Sequence, residues 1–125
     1  MRRVRQIIFY AHYFQEFYLK LNNSVREKIG YVFRVIETVD KVSEKFLKHI
    51  EGSDVLYEIR IESGPNIYRI FCCFERGNLV MLFNGFQKKT QKTPKKEIEL
   101  AAKLREEYFA LRGKENEKER GNKKR

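Results

Sequence analysis

Cysteine and histidine are scarce in this chain of 125 residues, which has two of each. Cys72 and Cys73 are adjacent, and neighbours in a strand point to opposite faces, so no disulfide is expected to join them. His12 and His49 stand far apart and offer no zinc-ligand spacing. The expectation is a reducing, cytoplasmic setting with no metal and no cofactor. The sequence also lacks an internal repeat and any apolar run long enough to span a membrane. Its opening, Met1-Arg2-Arg3-Val4-Arg5 followed by Ile7 to Phe14, has the outline of a signal peptide. His12 and Gln15 interrupt the apolar part, however, and no small-residue cleavage site follows. Ile7 to Tyr10 is expected instead to be a buried first strand.

What is abundant is positive charge. The formal net charge is +10, which favours polyanionic partners: nucleic acid, an acidic protein or an anionic surface. A hydrophobic fraction of 42% supports a real core and a single domain, residues 1–111. Phe14 to Leu21 reads as a short helix. Ser24 to Val39 reads as a longer one, with Val25, Ile29, Val32, Phe33, Ile36 and Val39 on one face and a capping box of Ser24 and Glu27. A last helix opens at Thr93-Pro94, with Ile98, Ala101, Ala102, Leu104, Tyr108 and Leu111 as its buried stripe. Residues 112–125 hold no apolar side chain and are expected to form a disordered basic tail.

Three strands are predicted between the helices: Val55 to Glu62, Ile67 to Glu75, and Leu79 to about Lys88. Gly64-Pro65 and Gly77-Asn78 read as two-residue hairpin loops. The first loop sets Ile59 opposite Ile70, Tyr57 opposite Cys72 and Val55 opposite Phe74. The second, unbulged, sets Phe74 opposite Met81 and Cys72 opposite Phe83, completing an apolar face for the helices. The other face is expected to be uncovered, to carry Cys73, and to place Arg60 opposite Arg69 and Arg69 opposite Phe86, with Lys88 alongside. Two arginines in direct opposition destabilise a sheet. One reading neutralises them with Glu58 and Glu62 and packs their stems on Phe71 and Phe86. The other makes them an anion site, with Phe86 free to stack a base.

The second reading gains from the stretch Gly85-Phe86-Gln87-Lys88-Lys89-Thr90-Gln91-Lys92-Thr93-Pro94-Lys95-Lys96, which has five lysines and no acid. Together with Leu56-Tyr57-Glu58-Ile59-Arg60 and Asn66-Ile67-Tyr68-Arg69-Ile70-Phe71, it resembles the RelE/ParE toxin superfamily, and within it the HigB-like, phage-related branch. The resemblance spans most of Ser43 to Leu111 and the helical hairpin before it. It implies an α+β, RelE-like fold: a small antiparallel sheet, an N-terminal helical hairpin and a C-terminal helix, with one face of the sheet exposed. It further implies the toxin of a type II toxin–antitoxin system. Such a toxin enters the ribosome, cleaves translated mRNA and so inhibits growth, and a cognate antitoxin, expected to be a helix-turn-helix protein, silences it.

RNA cleavage through the ribose 2′-hydroxyl needs a base, an acid and cations for the developing phosphorane charge. Arg60 and Arg69 are the expected phosphate-stabilising groups and Lys88 a proton-transfer or phosphate-binding group. Phe86, Lys89, Lys92, Lys95 and Lys96 are expected to bind RNA or ribosome, Lys89 from the opposite side, and Glu58 to support an arginine. Tyr108 reads as core. Two alternatives remain open: a ParE-like toxin that inhibits a topoisomerase without cutting RNA, and a plain nucleic-acid-binding module.

Overall fold

The computed structural model of the chain describes residues 2–123, with side chains described as far as Lys114. Along the chain run β1 (Gln6–Phe9), α1 (Tyr13–Leu19), α2 (Asn23–Thr38), β2 (Leu47–His49), β3 (Tyr57–Ser63), β4 (Asn66–Glu75), β5 (Leu79–Lys88) and α3 (Lys95–Lys123). The fold is α+β, as expected. The strands form one sheet in the order β1-β5-β4-β3-β2. β1 runs parallel to β5, so the sheet is mixed rather than wholly antiparallel. The helical hairpin α1–α2 carries the chain from one edge of the sheet to the other. β2, which has no clear alternation in the sequence, is an addition to the expected strands.

Apolar spacing decides how α2 lies. Val25, Ile29, Val32 and Ile36 are all buried on the sheet. Its cap is not the expected Ser24–Glu27 box. Asn22 has extended backbone and accepts from Val25 N at 3.0 Å, so the helix starts earlier and Ser24 falls within its first turn. At the other end, the Arg5 guanidinium donates to Ile36 O (3.0 Å), Val39 O (2.7 Å) and Asp40 O (2.7 Å). A cation thus satisfies carbonyls that the helix end leaves without partners.

The β3–β4 hairpin has the expected register: Tyr57 opposite Cys72, Ile59 opposite Ile70, Arg60 opposite Arg69. Val55 lies outside it and is exposed. The β4–β5 hairpin departs from expectation twice. Glu75 pairs with Leu79, leaving Arg76, Gly77 and Asn78 in the turn, with Arg76 at φ 55° and Gly77 at φ 79°. A bulge then follows, between the pairs Cys72–Leu82 and Ile70–Gly85. Between these pairs β5 supplies Phe83 and Asn84 against Phe71 alone.

The faces change accordingly. Ile59, Ile61, Tyr68, Ile70, Cys72, Val80 and Leu82 pack beneath α1 and α2. Met81 and Phe83, expected on that face, lie on the other with Phe71 and Cys73, under Ala101, Leu104 and Tyr108 of α3. The second face is therefore covered along much of its length, and Cys73 is buried rather than exposed. α3 docks through Ile98, Ala101, Leu104 and Tyr108, whereas Ala102 and Leu111 face solvent. Its first turn is tied to the bulge, where Asn84 Nδ2 donates to Glu97 O (3.1 Å) and Glu97 Oε2 (2.9 Å). The expected basic tail begins inside α3, whose backbone continues helical from Arg112 to Lys123. Side chains from residue 115 on, and residues 124 and 125, lie outside the described residues.

Asn22→Ala should lower the unfolding free energy by about 1 kcal/mol, the usual value of an N-cap, and Ser24→Ala by only a few tenths. Urea denaturation of the two variants measures the difference.

Candidate nucleic-acid interface

α3 covers the sheet from the bulge toward the β4–β5 turn and leaves the opposite end bare. Arg60 lies opposite Arg69, Arg69 opposite Phe86, and Ile67 opposite Lys88. Side-chain alternation then places Arg60, Arg69 and Lys88 side by side on the bare end of one face. They line an open basin of about 640 Å³, together with Glu62, Ile67 and Lys89. Lys89 was expected on the far side of the sheet. The strand ends at Lys88, so alternation no longer governs the next residue, and Lys89 joins the wall.

The two arginines differ in kind. Arg69 is 2% exposed, and its Nε lies 2.8 Å from Glu58 Oε2. Its Nη1 donates to Tyr68 O at 3.1 Å. Burial, then the neighbouring Arg60 charge, lowers its pKa from the ordinary arginine value, and Glu58 and Glu62 pull the other way. Among the described residues Arg60 has no ion-pair partner. The neutralising reading thus holds for Arg69, through Glu58, while Arg60 stands without a carboxylate partner among the described residues. Glu62, which the sequence offered only as a neutralising charge, is the one carboxylate lining the basin among the described residues. Its place on the Arg60 face of β3 was the available signal.

The rest of the lysine-rich stretch divides by position. Phe86 is half-buried and packs edge-to-face on Phe71 at 5.3 Å, so part of its ring serves the core. Lys92, Lys95 and Lys96 are exposed around the loop and the start of α3, outside the basin wall. Gly85 has a steric reason. A Cβ built there would stand 2.5 Å from the Phe17 ring, so only glycine lets α1 close on β5 at this point.

At the other end of β4, the buried Glu75 accepts from the Tyr108 hydroxyl and pairs with Arg112 Nη2 at 3.0 Å. This latch fixes α3 and raises the Tyr108 pKa to about 12, first through burial and then through the bond to Glu75. Cys73 beneath α3 is likewise pushed up to about 11 by burial. A buried thiol of that kind is inert as a nucleophile.

Residues 16–106 match the family described as phage derived protein Gp49-like (DUF891). The chain belongs to that family. The Gp49-like proteins are RelE-like and toxin-like, in keeping with the small α+β fold. A search of curated proteins finds no match. The Gp49-like match contains every residue of the basin, whereas β1, Tyr108 and Arg112 fall outside it.

The arginine pair predicts opposite stability effects in this Gp49-like protein. Arg69→Met strands the Glu58 carboxylate and should cost about 3–5 kcal/mol, part of it recovered by adding Glu58→Gln. Arg60→Ala removes a like-charge contact and should leave the urea midpoint unchanged or raised. The latch predicts a pH effect. Because Tyr108 titrates higher when folded than an ordinary tyrosine near 10, the unfolded chain ionises first. Its stabilisation is complete below pH 10 and lost as pH climbs to about 12. Unfolding measured across that window should fall more steeply in the parent protein than in Tyr108→Phe.

Proposed function

We propose that this protein is the toxin of a type II toxin–antitoxin module, of HigB-like type, and acts in the cytoplasm as a ribosome-dependent endoribonuclease on translated mRNA. One observation carries the reading: Arg60, Arg69, Lys88 and Lys89 converge on an open basin although the sheet gains no stability from opposed arginines. An arginine kept without a carboxylate partner opposite a like charge, as Arg60 is, is most simply explained by a ligand, and four cations around a hollow fit a phosphate.

In the proposed reaction a ribose 2′-hydroxyl attacks the adjacent phosphorus, and the bond to the 5′-oxygen breaks. A 2′,3′-cyclic phosphate and a free 5′-hydroxyl result. In this scheme Glu62 takes the 2′-hydroxyl proton and Lys88, on the same basin wall, gives one to the departing oxygen. Arg60 grips the non-bridging oxygens as charge builds on them. Arg69, held by Glu58, is a fixed positive charge beneath the phosphate. Lys89 and the exposed Lys92, Lys95 and Lys96 extend the grip on RNA backbone or ribosome, and Phe86 offers a ring edge to a base. The antitoxin partner would act by covering this basic end.

Expression in bacteria followed by primer extension on cellular mRNA tests the reading. The parent protein should arrest growth and cut within translated codons. Arg60→Ala and Lys88→Ala should each lower cleavage by roughly 100-fold or more while the protein stays folded. Growth arrest with intact mRNA and damaged DNA would instead point to a topoisomerase inhibitor, and a fully active Arg60→Ala variant would remove the basin from the mechanism.

A further inference from the structure

We infer that a second basin, at the open edge of β3, holds another phosphate of the same single-stranded RNA that occupies the first. The inference deepens the nuclease reading and takes from it only the identity of the strand as substrate.

The second basin exists because β2 is short. Its register with β3 ends at Leu47 opposite Ile59, and the last contact beyond is Arg60 N donating to Phe46 O at 2.8 Å. Toward the Gly64 turn, no strand lies beside β3 on that side among the described residues. A hollow of about 240 Å³ fills the notch, lined by Lys28 of α2, Lys45, Phe46, Arg60, Glu62 and Gly64. Three cations face a single carboxylate. Neither Lys28 nor Lys45 has an ion-pair partner among the described residues.

The lysines are braced. Lys28 Nζ lies 5.3 Å from the centre of the Tyr31 ring, and Lys45 Nζ 5.6 Å from that of Phe46. The two rings pack edge-to-face at 6.0 Å. Cation–π contact holds each ammonium near the hollow and leaves its hydrogen-bond donors free. Phe46 also gives the hollow an apolar wall.

The two basins share Arg60 and Glu62. Arg60 is therefore a ridge with positive charge on both sides. A strand whose phosphate rests on Arg60 in the first basin continues over the ridge toward Lys28 and Lys45. Nothing in the sequence pattern joins these two lysines to the Arg60 face. They come from α2, which packs on the other side of the sheet, and from the segment before β2, and reach the ridge around its open edge.

Fluorescence anisotropy with a labelled single-stranded oligoribonucleotide, across a series of salt concentrations, tests the second basin. The parent chain is compared with the double variant Lys28→Ala/Lys45→Ala and with Lys103→Ala on the exposed side of α3. The double variant should bind more weakly at low salt. Its plot of log affinity against log salt should be shallower by about 0.7 for each phosphate that the two lysines neutralise in the parent. Lys103→Ala should match the parent, and circular dichroism should show all three folded. A folded double variant with unchanged affinity and slope would overturn the second basin, even if it had lost binding to an acidic protein or to ribosomes. A parent chain that fails to bind the oligoribonucleotide would overturn it as well. If the parent binds with the steeper slope but cuts no mRNA in cells, the nuclease reading falls and the second basin stands.

Discussion

The bulge at Phe83 and Asn84 is the constraint on which the basic site depends. On the turn side of it, Met81 and Phe83 face α3 while Val80 and Leu82 face α1 and α2. In an unbulged continuation, Gly85 and Gln87 would fall on the α3 face, and Phe86 and Lys88 would point under α1. The extra residue reverses this alternation. It brings Phe86 and Lys88 beside Arg69 and turns Gly85 toward Phe17, where a side chain would not fit. It also directs Asn84 at Glu97, which fixes where α3 begins. One inserted residue thus divides a single sheet face into an apolar half beneath α3 and a charged half open to solvent.

The charged half is stable because its two arginines are treated differently. Arg69 is nearly sealed from water and would be intolerable there alone. Glu58 beside it offsets much of the cost of burial. Its charge is thereby held in place, with little side-chain freedom left to lose when a ligand binds. Arg60 is only part-buried and has no carboxylate partner among the described residues, so its guanidinium is the less constrained of the two. In the proposed nuclease reaction, the held Arg69 and the less constrained Arg60 would suit an anion whose geometry changes as it reacts.

Much of this was legible in the sequence, partly through compensation. The Gly64-Pro65 turn fixed the β3–β4 register, and with it the Arg60–Arg69 pair. The opposition of Arg69 and Phe86 was also correct, although both steps leading to it were not. The turn contains one residue more than Gly77-Asn78, and the bulge adds one on β5, so the expected register returns beyond the bulge. Between turn and bulge it does not, and there Met81 and Phe83 were placed on the wrong face, whereas Cys73 lies on its expected face but is covered by α3. Alternating hydrophobicity could not reveal the error because both faces of that segment are apolar. For the same reason α3 was not expected on the second face. The cap at Asn22 was missed because Ser24 and Glu27 have the right spacing for a box, and only backbone geometry decides between two nearby polar residues. β2 was missed because three residues are too few for a pattern.

The lysine-rich stretch serves more than one purpose. Its strand part is immobilised by the sheet, and its far end by α3, whose position Asn84 sets. The loop between is short and turned by Thr90 Oγ1 donating to Lys92 O at 2.8 Å. Exposed lysines on so short a loop cannot reach far, so they hold positive potential at the rim of the basin. Such a field speeds the approach of a polyanion and fades with salt over about 10 Å at 0.1 M ionic strength. Groups inside the basin act at contact distance and are screened far less. In the proposed nuclease, salt should therefore weaken capture of the strand more than it slows the step that follows, and the net charge of +10 would serve capture. The proposed chemistry would rest instead on the few side chains that the bulge brings together.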